Sequence, residues 1–263
     1  MKLNRVGVLL REDDQKYPLS ELDDLFTEHG IKLIPLSWNK SPQNNLDMVI
    51  AMGGDGTVLK ALDLFSTGPV LAINFGTTGF LTAADRGDIA QVLKLLINGD
   101  YIISERLVLE CHHRHGITKA INEVIVRIAG SGFAYIDVFV NKTKIRTIKG
   151  DGVVVGTPTG STGFLLSAGA PIVMPDVRCM MLDGINEHNF TSRSLVLSPA
   201  STIRLHISHE TRESEVNINI DGRQLPALEP GNHVEITQSA NTAKLIYFQE
   251  NYFFNNLSSK LGW

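Results

Sequence analysis

Met48-Val-Ile-Ala-Met-Gly-Gly-Asp-Gly-Thr57 is the stretch whose reading decides the fold. Met48 to Met52 form an apolar run of strand length, and they lead directly into Gly53-Gly54-Asp55-Gly56-Thr57. Helix-compatible sequence follows from Val58 to Phe65. A strand that turns on glycines into a helix start aims backbone N–H groups outward at the positive end of the helix dipole, so this turn suits phosphate. Glycines allow positive φ and close approach of an anion to the main chain, while Thr57 can add a hydroxyl donor or cap the helix. Asp55 is the odd member. A carboxylate beside phosphate is unfavourable unless it coordinates a metal ion, accepts a proton from an attacking hydroxyl, or does both. Phosphoryl transfer needs both roles. The plainer alternative is a tight βα turn in which Asp55 merely caps the helix.

The flanking sequence extends the same pattern. Val6 to Leu10 is a buried strand by its apolarity; Leu19, Leu22, Leu25 and Phe26 recur at helical spacing; Gly30 stops that helix before the apolar run from Ile31 to Leu36. Val70 to Ile73 gives another strand, followed by Gly76-Thr-Thr-Gly-Phe80-Leu81, a second glycine turn beside the first. Neighbouring strand ends of an open α/β sheet form a ligand crevice. Asp88 is placed to cap a helix running to about Asn98. Beyond Gly99 β-branched residues alternate with polar ones. Strands are expected at 102–111, 119–126, 133–140, 144–149, 152–155, 203–207, 216–220 and 234–237, with Asn141-Lys142 as a hairpin turn. The expectation is a Rossmann-like α/β domain with a parallel sheet over residues 1–98 and a β-rich domain over 99–244. The active site would lie in the cleft between them, and the segment from about 245 to 263 would pack back on the first domain.

Composition narrows the partners. A chain of 263 residues with 43% apolar content can build two modest cores. A net charge of −4 without runs of like charge gives no reason to expect nucleic acid or an anionic membrane. The partner is therefore expected to be small. Cys111 and Cys179 cannot make a disulfide framework, and no run resembles a signal or spanning segment, so the cytoplasm is the expected location. The sequence contains neither GxxxxGK[ST] nor a Rossmann GxGxxG with its acidic partner, which disfavours P-loop chemistry and hydride transfer. His112-His113-Arg114-His115 lacks completing carboxylates or thiols and is read as an exposed turn, so no protein metal site is expected.

Two further segments have site-like chemistry. Asn122-Glu123 opens the apolar strand Val124-Ile-Val126, where a carboxylate could accept hydrogen bonds from both hydroxyls of a ribose; a solvated strand end is the alternative. From Lys149 to Pro171 small and hydroxylated residues flank Val153 to Val155, a texture that lets backbone approach a flat or anionic ligand, unless it is only a long surface connection.

These landmarks, in this order, resemble the ATP-dependent NAD kinase family. Gly53-Gly-Asp-Gly-Thr57 is similar to that family's phosphate turn, which diacylglycerol, sphingosine and phosphofructokinases share. Gly76 to Leu81, Ala120 to Glu123, Gly150-Asp-Gly152, and Thr157-Pro-Thr-Gly-Ser-Thr162 with Ser167-Ala-Gly169 are similar to its further motifs. The ending Leu257 to Trp263 resembles that of proteobacterial members. The resemblance implies a kinase that uses ATP with Mg²⁺ to phosphorylate the adenosine-ribose 2′-hydroxyl of NAD, as a homodimer or homotetramer. It implies that Asp55 is the general base and that Asn122 and Glu123 hold the ribose. Lys149, Asp151 and the stretch Thr162, Gly163, Phe164, Leu165, Leu166 and Ser167 would line the NAD pocket, with Asp151 able to complete a neighbouring subunit's site. Arg223, beside Asp221-Gly222, would add a strand-end contact. Gly163-Phe164 departs from the family's usual Ala-Tyr, and Ala170 from its usual glycine; Phe164 keeps a ring but lacks the phenolic hydroxyl. The rivals are a lipid kinase sharing the phosphate turn and an NAD(P)-sensing module without transfer.

Overall fold

The computed structural model describes residues 3–11, 19–39, 45–66, 68–76, 79–130, 132–189, 192–212 and 215–262, without the side chains of 19–21. Leu19's side chain, Thr77-Thr78 and Trp263 therefore lie outside the described residues. The chain separates into two compact units, one of residues 1–105 with 243–263 and one of residues 106–242.

The first unit is built on the apolar runs. Strands β1 (Arg5–Leu10), β2 (Lys32–Pro35), β3 (Met48–Gly53), β4 (Pro69–Asn74), β5 (Ala84–Asp85) and β6 (Ile102–Arg106) alternate with helices α1 (Leu19–Glu28), α2 (Asp55–Leu64) and α3 (Ile89–Asn98). Every residue of β3 and β4 is buried, as expected where a parallel sheet is covered on both faces. Gly30 (φ +70°) follows α1, and Gly99 (φ +81°) closes α3 in the left-handed conformation that favours glycine. Asp88 precedes α3 but makes no side-chain cap bond.

The second unit is antiparallel. It contains β7 (Leu109–His113), β8 (Gly116–Ala120), β9 (Glu123–Ile128), β10 (Ala134–Val140), β11 (Thr143–Gly150), β12 (Gly152–Gly156), the short helix α4 (Phe164–Ala168), and β13 (Met180–Ile185). It continues with β14 (Leu195–Leu197), β15 (Ile203–Ile207), β16 (Val216–Ile220), β17 (Arg223–Leu228) and β18 (His233–Gln238). Two six-stranded sheets, β11-β10-β15-β18-β7-β8 and β14-β13-β12-β9-β16-β17, share one apolar core that includes Leu109, Val126, Ile136, Val153, Leu182 and Leu205. The chain then returns to the first unit as β19 (Ala243–Tyr247), which pairs parallel with β4, and α5 (Tyr252–Leu261). The first sheet thus runs β2-β1-β3-β4-β19-β6, with β5 beside β4.

Asn141 (φ 48°) and Lys142 (φ 70°) form the expected two-residue turn between β10 and β11. Other expectations are corrected. The run 102–111 is two strands broken at Leu107-Val108, and the run 119–126 is two strands broken at Ile121-Asn122. Among the described residues, no helix is long and apolar enough to cross a membrane.

Candidate active site

In the first unit the two glycine turns meet. Asp55 is the first residue of α2, and its carboxylate does not cap that helix. Oδ2 accepts from the Phe80 N–H and Oδ1 from the Leu81 N–H, each at 3.0 Å. Burial raises the Asp55 pKa, and both backbone donors and the Lys260 charge oppose that rise. The cap reading of Asp55 is thereby replaced by a carboxylate fixed at the mouth of the turn by a neighbouring loop.

The glycines act through space and not through handedness, which corrects the expectation of positive φ: Gly53, Gly54 and Gly56 are absent from the left-handed residues. A Cβ at Gly53 would lie 2.2 Å from Thr57 Oγ1, so that glycine admits the buried threonine beneath the turn. A Cβ at Gly54 or Gly56 would meet nothing within 4 Å. At these two positions the fold itself leaves glycine unexplained, and open space lies where an anion would approach the first-turn N–H groups. Thr57 donates its N–H to the Gly54 carbonyl, and its hydroxyl makes no cap bond.

In the second unit Asn122 sits in the break between β8 and β9 and Glu123 opens β9, and that break has a cause. Asp221, in the left-handed conformation (φ 47°) at the β16–β17 turn, accepts N–H bonds from Ile121 (2.7 Å), Asn122 (2.9 Å) and Glu123 (3.1 Å). Ile121 and Asn122, with their amides turned to that carboxylate, leave the strand, and Glu123 starts β9 opposite Gly156. From the other side Thr157 donates its hydroxyl to the Ile121 carbonyl (2.5 Å) and its N–H to the Asn122 carbonyl (2.9 Å). A Cβ at Gly160 would lie 2.3 Å from that Asn122 oxygen, so the glycine-rich segment is a packed support for the turn and not a loose connection. It contains a 3-10 turn, Thr159–Thr162, followed by α4.

Glu123 is buried, and the Phe164 N–H reaches its Oε2 at 3.4 Å. Burial and, next, the adjacent Asp221 raise its pKa to about 7, against the Phe164 hydrogen bond. Asp221 is also raised by burial, with its three N–H donors and Arg223 opposing that rise. Among the described residues Asn122 Oδ1 is buried without a hydrogen-bond partner, an acceptor that a ligand donor would satisfy. A Cβ at Gly163 would come within 3.0 Å of Glu123 Oε2.

The other expected site residues are more scattered. Phe164 and Leu166 are partly exposed and Ser167 is exposed, whereas Leu165 is fully buried in a cluster with Ile125, Val154 and Met181 and serves packing. Lys149 lies over the rings of Phe133 (5.0 Å) and Tyr135 (5.5 Å). Asp151 accepts from Asn186 Nδ2 at 2.7 Å. Arg223 reaches the Lys119 carbonyl at 3.4 Å. Sequence reasoning named Asp221 only as a neighbour of Arg223 and Lys260 only within the closing segment, giving neither a role, and it passed over Tyr247 and Asn256, which carry no motif.

Two family models match the chain, the ATP-NAD kinase N-terminal domain over residues 21–101 and the ATP-NAD kinase C-terminal domain over residues 121–248. The chain belongs to the ATP-NAD kinase family. A NAD kinase from Thermoanaerobacter sp. (strain X514) is 38% identical, covering 96% of this chain and 90% of its own. One from Clostridium perfringens (strain 13 / Type A) is 36% identical over 82% of this chain and 80% of its own. Among solved structures, yeast NADH kinase complexed with NADH superposes with a TM-score of 0.87, 24% identity and coverage of 99% and 88%. A NAD kinase from Archaeoglobus fulgidus in complex with ATP gives 0.80, 23%, and 97% and 99%. Both of these speak to the fold. As an ATP-NAD kinase the chain is an enzyme, a phosphotransferase, and its substrate pair is ATP and NAD.

Proposed function

We propose that Asp55 is the general base that takes the proton from the 2′-hydroxyl of the adenosine ribose of NAD as that oxygen attacks the γ-phosphorus of ATP, giving NADP and ADP. The observation that carries this reading is the Asp55 carboxylate itself, immobilised by two N–H donors beside the open space at Gly54 and Gly56. The turn's N–H groups receive the donor phosphates, and Mg²⁺ accompanies them to neutralise charge in transfer. Phosphate oxygens and water are the ligands that ion prefers. Asn122 and Glu123 hold the acceptor: the partnerless Oδ1 takes a donor from the nucleotide, and Glu123 bonds the ribose hydroxyls. Phe164 offers a ring face at the same place.

Buried, unpaired Cys111 and Cys179 support residence in the reducing cytoplasm. The homodimer or homotetramer implied by the family is read from size-exclusion with light scattering. The base assignment is tested by Asp55→Asn, which is expected to lower kcat by about two to four powers of ten with the Kd for NAD nearly unchanged. Equal loss of NAD affinity and turnover would exclude it.

A further inference from the structure

Because a peptide unit is planar and trans, its C=O and its N–H point in opposite directions, and fixing one end aims the other. Both peptide units that donate to Asp55 are fixed in this way. The unit whose N–H belongs to Phe80 carries the Gly79 carbonyl, which accepts from Thr82 Oγ1 at 3.2 Å. The unit whose N–H belongs to Leu81 carries the Phe80 carbonyl, which accepts from Asn256 Nδ2 at 3.0 Å. Asn256 also reaches the Thr82 carbonyl at 3.4 Å, and the hydroxyl of fully buried Tyr247 donates to the Leu81 carbonyl at 3.1 Å. Three successive carbonyls, of Phe80, Leu81 and Thr82, are thus held from β19 and α5. That segment is itself anchored: the Tyr247 and Tyr252 rings stack at 3.6 Å, and the Tyr252 hydroxyl lies 2.9 Å from Ser104 Oγ.

We propose that Asn256, with Tyr247 behind it, is the positioning residue of the Asp55 carboxylate: it grips the far end of a peptide that donates to Asp55, so the C-terminal helix sets the aim of the base. The catalytic part of this rests on the base reading above. Among the described residues the charge acting on Asp55 is Lys260, on the same helix; α2 and the 79–82 loop contribute no second one. Without Asn256 the Phe80–Leu81 peptide is free to turn, its N–H bond to Asp55 weakens, and burial then prevails. The Asp55 pKa moves upward, and an attacking hydroxyl finds its base misaimed.

The test uses the full chain with Asn256→Leu, close in size but unable to donate, and Asn256→Ala in case the first does not fold. Two readouts are taken: the 13C carboxyl titration of Asp55 by NMR, assigned through Asp55→Asn, and the pH dependence of kcat. The expected result is an Asp55 titration and an acidic limb both shifted upward by about half to one pH unit, with kcat lowered about tenfold and the Kd for NAD unchanged. Tyr247→Phe is expected to shift both in the same direction by less. A folded Asn256 variant whose Asp55 titrates as in the unaltered chain overturns the proposal. If Asp55→Asn keeps full turnover while the NMR shift is present, the base reading fails and the positioning contact stands; if Asp55→Asn loses turnover but the NMR shift is absent, the base reading stands and only the contact fails.

Discussion

Asp55 in the first unit and Glu123 in the second are carboxylates withdrawn from water at turns that follow or precede a strand, yet their surroundings differ in two respects. Asp55 has two well-formed N–H donors and a lysine charge to oppose the effect of burial. Glu123 has one long N–H contact, and its charged neighbour is another carboxylate. In the first case burial still raises the pKa, but the donors and the lysine work against that rise; in the second only one long contact does, and the proton is retained close to neutrality. Backbone donors alone do not separate the two, since Asp221 next to Glu123 collects three of them. The sign of the nearest charge and the share of donors each carboxylate receives set the difference.

The largest expected effect follows from the three amides that Asp221 holds. Asp221→Ala leaves them without an acceptor and places alanine in a left-handed conformation, a cost on the order of 2–4 kcal/mol by the usual scale for unsatisfied groups. Denaturant unfolding is expected to show that loss, and kcat/KM for NAD to fall about a hundredfold while KM for ATP changes little. Asp55→Asn, by contrast, keeps one acceptor oxygen and removes a buried charge, so it is expected to lose much less stability than Asp221→Ala while losing its chemistry. Comparable instability in both variants would erase the distinction between a carboxylate that builds its site and one that works in it.

A smaller effect concerns Glu123 and pH. Its pKa in the folded chain, about 7, lies above the usual carboxylate value of 4.5, so the folded state binds the proton more tightly than the unfolded state does. Its stabilising contribution is complete below pH 4.5 and is lost as pH rises through 7. The gap corresponds to about 3 kcal/mol as an upper figure. Glu123→Gln cannot ionise, so its Tm relative to the unaltered chain is expected to rise by a few degrees between pH 5 and pH 8. A difference that stays level across that range would mean that Glu123 does not titrate near 7 in the folded chain.

How much of this was legible in the sequence follows the same division. The first unit could be read because its strands are unbroken apolar runs and its turns carry glycines beside an acid, all within short stretches of chain. The second unit was read less well. β13 is fully buried but carries Asp183 and Gly184 in its middle, and it was missed; the acid is satisfied by Gly184 N–H and Ser194 Oγ, partners no local pattern announces. The joining of 119–126 into one strand failed because the break is imposed by Asp221, about a hundred positions away. Asn256 was invisible for the same reason, since its two acceptors are backbone carbonyls and leave no mark on the sequence around them.

The finest test returns to the turn and uses two of its glycines against each other. Gly56 lies within α2, is exposed, and has nothing within 4 Å of a Cβ, so Gly56→Ala meets no obstacle in the fold and gains helix propensity. It is expected to raise stability by about 0.5–1 kcal/mol. If donor phosphates approach the main chain there, the added methyl group obstructs them, and KM for ATP is expected to rise several-fold with KM for NAD unchanged. Gly53→Ala should do the reverse in stability, because its Cβ would collide with Thr57 at 2.2 Å. A Gly56→Ala chain that is more stable and uses ATP as before would leave that glycine without a role in donor binding, and would move the phosphate contact to Gly54 and the loop beyond β4.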